Sequence, residues 1–204
     1  MAGRPRVIDD AAILRTAARV IGEVGPSGLT LSAVASEAGV VPGTLVQRFG
    51  SKRGLLLALA ARSAEEARGL ADRVRGGRGS PLRRLRSLIV ASMSAMDTPA
   101  RFANHLAFLC VDLTDPEFHE HALAVHLGER RAFVALLEEA VTAGELRWDT
   151  DVAALAVTLQ SAIAGTGLTW ALDRRGALAT RLRRATDAAL TPHREDHDER
   201  STSR

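Results

Sequence analysis

Apolar residues recur every three or four positions along most of the chain and seldom alternate with polar ones, which predicts helices. The first apolar stripe starts behind Asp9 and Asp10, whose carboxylates suit the N-terminus of a helix. Residues 25–28, Gly-Pro-Ser-Gly, predict where this helix ends. The members of the stripe are Ile13, Ala17, Val20, Ile21 and Val24.

Capping residues divide the next stretch into three further helices. Thr30 is expected to cap a short second helix, and Gly39 to end it in the left-handed conformation. A third short helix, residues 42–49, begins with a proline in the tolerated first turn. Ser51 is expected to cap a long fourth helix that ends near the breaker cluster at residues 76–81.

The rest of the chain has the same helical pattern, interrupted by short turns that contain proline or glycine. From Thr191 the chain becomes polar and of mixed charge without apolar periodicity, so we expect residues 193–204 to be a disordered tail. The expected helical stretches lie near 81–97, 100–112, 117–143, 151–173 and 176–190.

Composition supports a helical, globular protein, since 46% of the residues are hydrophobic, 25% are charged and tyrosine is absent. The charge is unevenly distributed. Residues 1–62 carry eight basic and four acidic side chains, a net charge of +4, although the whole chain has +3. Frequent arginine explains the total charge but not this asymmetry, which is expected if the N-terminal end contacts a polyanion.

Several classes of protein are disfavoured by the sequence. Apolar runs such as residues 152–157 are too short and interrupted to cross a bilayer, and no apolar segment follows the basic N-terminus as in a signal peptide. The single cysteine, Cys110, excludes an internal disulfide and fits a reducing cytoplasm; we interpret it as a small buried hydrophobe. The sequence therefore predicts a cytoplasmic protein without a membrane span.

Enzymatic and metal-binding sites are not predicted. No nucleophile–histidine–carboxylate context and no glycine-rich phosphate loop stands out, so we expect neither an enzyme nor a cofactor. His119, His121 and His126 are the candidate metal ligands. On a helix, however, residues two apart diverge and residues seven apart are separated by about 10 Å, so this spacing does not favour a metal site.

The spacing of Ala35, Gly39 and Leu45 is the most informative pattern in the chain. A small residue allows two short helices to cross closely, a glycine permits the sharp turn between them, and a leucine fills their shared core. The same spacing also fits a generic pair of amphipathic helices. In a helix-turn-helix, the outer face of the second helix would carry Thr44, Gln47 and Arg48 into a major groove.

The residues around this turn resemble the tetracycline-repressor (TetR) family in both content and order. The resemblance is close over about residues 8–62, looser over 132–192, and limited to unspecified helices over 80–130. The matching segments are Glu23-Val24-Gly25, Gly28-Leu29-Thr30, Ala38-Gly39-Val40, Gly43-Thr44-Leu45, Phe49-Gly50-Ser51-Lys52 and Leu55, and near the C-terminus Leu136–Ala140, Ala143–Leu146 and Trp170–Asp173.

The resemblance implies a set of DNA contacts. Gln47 and Arg48 match the base-reading positions, where glutamine suits adenine and arginine suits guanine. Lys52 matches a lysine that contacts phosphate at the start of the fourth helix. Backbone amides and hydroxyls at the starts of the two short helices would contact phosphates or bases. These helix-start positions are Thr30, Leu31, Ser32, Pro42, Gly43 and Thr44.

Two residues depart from the family pattern. Val46 stands where the family usually has a tyrosine that contacts phosphate, and Val41 where it often has a serine or threonine cap. Both changes remove polar groups, so we expect weaker binding to the DNA backbone, or backbone contacts made instead by Arg53 and the N-terminal arm. Arg4 and Arg6 of that arm would either reach a neighbouring minor groove or serve only to solubilise the chain.

An effector site is implied by the same resemblance. A mainly apolar lining would suit a hydrophobic or aromatic small molecule, with His105 as its polar contact. An ordinary hydrophobic core also explains these residues and needs no ligand. The candidate ligand-binding residues are Met93, Met96, Phe102, His105, Phe108, Leu109 and Trp170.

We therefore expect an all-α homodimer of about nine helices per chain. Residues 1–52 would form the DNA-binding domain and 53–192 the regulatory and dimerisation domain, with helices 151–173 and 176–190 at the dimer interface. Two DNA-binding domains whose recognition helices lie about 34–36 Å apart would bind a palindromic operator. A small molecule that binds better to a form with another spacing would release the DNA. A ligand-independent architectural DNA-binding protein and a helical protein–protein adaptor remain alternatives.

Overall fold

The structure, a computed structural model, describes residues 8–194, and in this part of the chain it contains helices and no strand. The predicted all-α fold is confirmed. The helices are α1 (Asp10–Gly28), α2 (Leu31–Ala38), α3 (Pro42–Phe49), α4 (Lys52–Arg68), α5 (Leu70–Val74), α6 (Pro81–Ser92), α7 (Pro99–Thr114), α8 (Pro116–Thr142), α9 (Val152–Asp173) and α10 (Leu178–Leu190), with 3₁₀ turns at Ser94–Met96 and Thr191–His193.

The described chain forms two compact units. The first unit comprises residues 8–66 and 98–125, and the second comprises 67–97 and 126–194. The predicted division at residue 52 separates DNA binding from regulation and stays a prediction about function. Of the predicted tail, His193 ends a 3₁₀ turn, whereas residues 195–204 lie outside the described part of the chain.

Three predicted helix caps are present in the first unit. Asp9 Oδ1 accepts a hydrogen bond from the Ala12 amide at 2.6 Å, and Thr30 Oγ1 accepts one from the Ala33 amide at 3.1 Å. Ser51 Oγ accepts from the amide of Gly54 at 3.1 Å. Such side-chain acceptors satisfy amides that have no partner inside the helix, which is why these residues define the helix starts.

The end of α1 differs from the prediction. The chain bends at Gly25, whose φ of 71° is outside the helical region, but one further helical turn continues to Gly28. Pro26 is tolerated there because it begins the new turn, where its missing amide N–H costs no hydrogen bond. The Leu29 amide closes this turn on the Gly25 carbonyl at 3.2 Å.

The core of the first unit lies between α1, the helix-turn-helix and the first half of α4. α7 packs along α1, where Asn104 Nδ2 donates to the Gly22 carbonyl at 2.9 Å. A side chain at Gly22 would place its Cβ 3.1 Å from the His105 ring, so this helix pair needs a small residue there. The fully buried residues of this core are Ile13, Ala17, Leu29, Val34, Ala35, Leu45 and Leu55.

In the second unit, α6 lies against α8 and α10, and α9 against α10. The guanidinium of Arg84 contacts Glu139 and donates to the Val74 carbonyl at 2.6 Å, while Arg86 bonds Asp187 at 2.6 Å. The Arg84 hydrogen bond holds the pKa of Glu139 below its ordinary value. Hydrophobic residues in the interior of this unit include Leu85, Ile89, Leu136, Leu137, Leu155, Leu159 and Leu182.

Two further predictions from the sequence are wrong. The fourth helix ends at Arg68 rather than near residue 76, because the helical path breaks at Gly69 and α5 follows as a separate short helix. Cys110 is exposed rather than buried. By length and composition, α9 is long and apolar enough to span a bilayer, so the run of residues 152–157 understated the length of the apolar stretch. One such helix is weak evidence for a membrane span, and the absence of a span stays a prediction.

Candidate nucleic-acid interface

Helix α3 exposes one continuous face beside the helix-turn-helix core. Leu45 is fully buried against Val34 and Ala35, so the opposite side of α3 points to solvent. Thr44 is half-buried on its flank. This arrangement is that of a recognition helix whose inner side is fixed and whose outer side is free to enter a groove. The exposed residues of this face are Pro42, Gly43, Val46 and Gln47.

The N-terminus of α3 has no side-chain cap. Val41 occupies the cap position and accepts no hydrogen bond through its side chain, whereas its carbonyl accepts from the Thr44 amide at 2.9 Å. Since Pro42 has no amide N–H and the Thr44 amide is engaged, the Gly43 amide is the one in this first turn that is left for an outside acceptor such as a phosphate. The start of α2 presents exposed Ser32 beside half-buried Leu31.

Arg48 is held within the first unit. Its guanidinium donates to the Ile8 carbonyl at 2.6 Å and to Asp10 Oδ1 at 3.0 Å, and only 26% of the side chain is exposed. These contacts tie the end of α3 to the start of α1. Base reading by Arg48, which the sequence predicts, would compete with these two contacts for the guanidinium, whereas Gln47 is exposed without such a contact.

Lys52 and Arg53 stand side by side at the start of α4 but have different partners. Lys52 Nζ donates to the Ser27 carbonyl at 3.0 Å, which leaves two of its three N–H groups for other acceptors. Arg53 contacts the carboxylates of Asp115 and Glu117. Its guanidinium hydrogen bond holds the pKa of Asp115 below the ordinary value, so this ion pair persists at neutral pH.

The predicted effector residues fall in both units. In the first unit, Phe102 is buried, Phe108 packs edge-on against Phe118 at 6.2 Å between ring centres, and Leu109 is exposed. His105 Nδ1 lies 2.8 Å from the Arg101 carbonyl, so one ring nitrogen is already engaged. In the second unit, Met93 and Met96 are half-buried.

Trp170 is fixed as a core residue of the second unit. Its ring is 3% exposed, and Nε1–H donates to the Gly176 carbonyl at 2.9 Å. An open cleft of about 540 Å³ also lies in this unit, between the 75–81 loop and the end of α8, and none of the seven predicted effector residues lines it. Its charged lining comes from Arg75, Arg84, Glu138 and Glu139.

Sequence reasoning missed that two polar groups are buried inside the first unit. Asp112 Oδ1 and His121 Nδ1 are buried, and neither has a hydrogen-bond partner among the described residues. Burial raises the pKa of Asp112 to about 6. The one signal in the sequence was a carboxylate among apolar neighbours in a helix, since Asp112 follows Cys110-Val111 and precedes Leu113. Separately, no group of three His, Cys, Asp or Glu residues within 8–194 is placed to hold a metal ion.

Two sequence profiles match this chain. The profile described as bacterial regulatory proteins, tetR family, matches residues 13–59, and the profile described as tetracyclin repressor-like, C-terminal domain, matches residues 81–186. A comparison with curated proteins gave no match.

Solved structures of similar fold cover nearly the whole chain. SmeT of Stenotrophomonas maltophilia, the repressor of the multidrug efflux pump SmeDEF, is 20% identical over 94% of this chain and 93% of its own, with a TM-score of 0.66. A TetR-family regulator from Cytophaga hutchinsonii is 18% identical over 92% and 95%, with a TM-score of 0.68. FadR of Bacillus subtilis in complex with stearoyl-CoA is 19% identical over 90% and 98%, with a TM-score of 0.63.

The exposed recognition helix and the two matching profiles define a helix-turn-helix transcription regulator. Because the C-terminal profile alone spans more than half of its residues, the chain belongs to the TetR family of bacterial regulatory proteins.

Proposed function

We propose that this protein is a sequence-specific transcriptional repressor, cytoplasmic and homodimeric, that a small apolar molecule releases from a palindromic operator. The exposed outer face of α3 is the observation that carries the proposal. There, the exposed amide side chain of Gln47, the half-buried hydroxyl of Thr44 and the uncapped backbone amide of Gly43 lie together, with Leu45 buried beneath them. Amide groups read adenine edges, and helix starts bind phosphate.

The proposed DNA contacts divide by role. Gln47 reads a base. The amide of Gly43, the hydroxyls of Thr30, Ser32 and Thr44 and the ammonium of Lys52 bind phosphates. Leu31 and Pro42 form part of the surface between these base and phosphate contacts. Arg48 contributes either as a base reader after leaving Asp10 or as the residue that orients α3 on α1.

The homodimer is proposed to form on the outer face of α9. Only 22% of the most apolar 18-residue stretch of this helix is buried, so the chain leaves most of an apolar helix uncovered. Val157 is 44% exposed, Leu168 46% and Leu172 76%, at spacings that place them along one side. A second copy of α9 would cover this side, as in a four-helix interface formed with α10.

The effector is proposed to be apolar because the first unit leaves large apolar side chains of α7 and α8 uncovered. Leu106, Leu109 and Leu113 on α7 are 39%, 42% and 60% exposed, and Leu123 on α8 is 45% exposed. FadR of B. subtilis, which has the same fold, was crystallised in complex with stearoyl-CoA. Such a ligand acts only by binding with different affinity to the two forms of the dimer, which differ in the distance between their DNA-binding domains.

The test starts from operators selected out of random double-stranded DNA. Gln47→Ala is expected to weaken binding to the selected operator by about 1–3 kcal/mol and to relax the preference at particular base pairs, with little effect on random DNA. Lys52→Ala should weaken binding to both DNAs and reduce the salt dependence; Arg78→Ala, which removes a positive charge from the loop before α6, is the matched control.

Failure to select any preferred sequence would refute the proposal, and equal losses on both DNAs for Gln47→Ala would remove base reading from that residue. The effector is tested with a panel of hydrophobic compounds. A true effector raises the melting temperature of the free protein and releases the operator over one concentration range. If no compound does either, ligand-independent repression replaces this part of the proposal.

A further inference from the structure

Two valines stand exposed on the surface proposed to face DNA. Val41 is 69% exposed and Val46 is 51% exposed. Within residues 8–66, the only other large hydrophobic side chain exposed to this degree is Val24, at 49% on α1. Isolated exposed apolar residues are common on proteins, but two of them bracketing the first turns of one eight-residue helix form a local apolar feature.

The fold itself gains nothing from either valine. Val41 holds the N-cap position of α3, where a serine or threonine would accept an amide hydrogen bond that valine leaves unmade. Val46 takes part in the local hydrogen bonding only through its carbonyl, which accepts from the Gly50 amide at 2.9 Å. The β-branched side chain of Val46, which lies inside the helix, also lowers helix propensity. A contact outside the chain would account for both valines.

Gly43 deepens the same surface. It lies three residues before Val46 and four before Gln47, so the three positions share one face of α3. A Cβ at Gly43 would meet no heavy atom within 4 Å, so packing inside the protein does not demand a glycine. Its bare position lets another surface approach the helix between the valine and the glutamine.

We propose that Val46 and Val41 read thymine methyl groups in the major groove, an inference that rests on the proposed DNA-binding function. Among the base edges exposed in that groove, the C5-methyl of thymine is the apolar group, and apolar side chains recognise it by contact. The occupant is DNA because Gln47 lies on the same face and the first 62 residues carry the net positive charge of the chain. The operator therefore contains thymine opposite each valine.

Replacement of thymine by uracil tests the inference, because it removes one methyl group and leaves base pairing intact. In the operator selected from random DNA, single uracil replacements at the contacted positions should weaken wild-type binding about fourfold each, as expected for one buried methyl group. Val46→Ala should bind the thymine operator less tightly by a similar factor, and should no longer distinguish thymine from uracil at one position. Val41→Ala should do the same at another position.

Val46→Thr separates lost contact from lost shape, since it retains one methyl group and the branched outline; it should keep part of the uracil effect. Val24→Ala is the matched control, an exposed valine on α1 whose variant should show the full wild-type uracil effect. Because all of these side chains are exposed, folding is checked by an unchanged melting temperature. Thymine at a contacted position should also be replaceable by 5-methylcytosine opposite guanine at less cost than by cytosine.

The outcomes separate the two proposals. If selection yields no preferred sequence, the proposed function itself fails. If a preferred operator emerges but no uracil replacement weakens binding, or if Val46→Ala and Val41→Ala retain the full uracil effect at every position, sequence-specific binding stands and methyl reading by these valines is overturned. The valine substitution and the uracil replacement form a double-mutant cycle. Losses in affinity that are not additive, for each valine at one thymine position, support the inference.

Discussion

The guanidinium of Arg53 donates hydrogen bonds to both carboxylate oxygens of Asp115, over 2.9 and 3.1 Å. The same guanidinium contacts Glu117 and lies 5.5 Å from the centre of the Phe118 ring. Arg53 follows Lys52 at the start of α4, so a cation next to the proposed phosphate ligand is already occupied by two acidic groups of the α7–α8 corner. If the protein binds DNA as proposed, this corner would compete with DNA for Arg53.

Removing this competition should strengthen non-specific DNA binding. Asp115→Asn combined with Glu117→Gln leaves Arg53 without carboxylates, so we expect higher affinity for random DNA and a salt dependence steeper by about one phosphate contact. Fluorescence anisotropy over a range of salt concentrations measures both. Adding Arg53→Ala should reverse the gain, and Glu120→Gln controls for a lost exposed charge on α8. Weaker binding by the double variant would show that the ion pair instead supports the DNA-binding geometry.

Gly43→Ala should separate stability from DNA affinity. The added methyl group meets nothing inside the protein and favours the helix, so the free energy of unfolding should rise by about 0.5–1 kcal/mol. Operator affinity should fall, because the methyl group stands between α3 and the groove. Urea unfolding and operator titration are compared with Ser63→Ala, which raises helix propensity on an exposed site of α4. An unchanged operator affinity would place Gly43 outside the interface.

Leu168→Arg should convert the dimer to a monomer. Leu168 is 46% exposed on the outer face of α9, so arginine is compatible with folding of the chain but not with burial against a second copy. Sedimentation equilibrium at micromolar concentration should show half the wild-type mass, and operator affinity should fall with it. Thr142→Arg, at the exposed end of α8, controls for the added charge. A dimeric Leu168→Arg would exclude this face, as would a monomeric wild type.

Asp112 should make stability depend on pH. Its pKa in the folded protein is raised by burial to about 6, above the ordinary value of 3.8, so the folded state holds a proton that the unfolded state releases between these values. Stability is therefore lost as pH rises from about 4 to 6, and Asp112→Asn should be increasingly more stable than wild type over that range, with a constant difference above it.

Urea unfolding at a series of pH values gives the difference for Asp112→Asn, and Asp72→Asn, which removes an exposed carboxylate of α5, corrects for the lost charge. A difference that does not change between pH 4 and 7 would mean that water or a partner solvates Asp112.

Local signals in the sequence predicted the elements that position the site. The caps at Asp9, Thr30 and Ser51 act over three residues, so their residue types are sufficient to place the helix starts. The alternation of a buried Leu45 with an exposed Gln47 likewise follows from one helical turn.

Long-range partners could not be predicted in this way. Arg48 bonds a carbonyl 40 residues away, and Arg53 a carboxylate 62 residues away, through side chains whose sequence neighbours carry no trace of the pairing. A single sequence shows which residues are charged but not which of them fold together. For the same reason the sequence could predict DNA contacts for Arg48 and Arg53 but not the internal partner that the structure gives each of them.

The packing of α7 along α1 also sets an order in time. The first unit is completed by residues 98–125, so its N-terminal 66 residues are synthesised before the helix that covers α1 exists. At about 5–20 residues per second, the 59 residues from 67 to 125 take roughly 3–12 s to be added. During this interval the nascent chain contains the complete recognition helix α3, but α7 is not yet present to pack against α1. A fragment that stops after α4 reproduces this nascent state permanently, so it is an unsuitable substitute for the full chain in DNA-binding experiments.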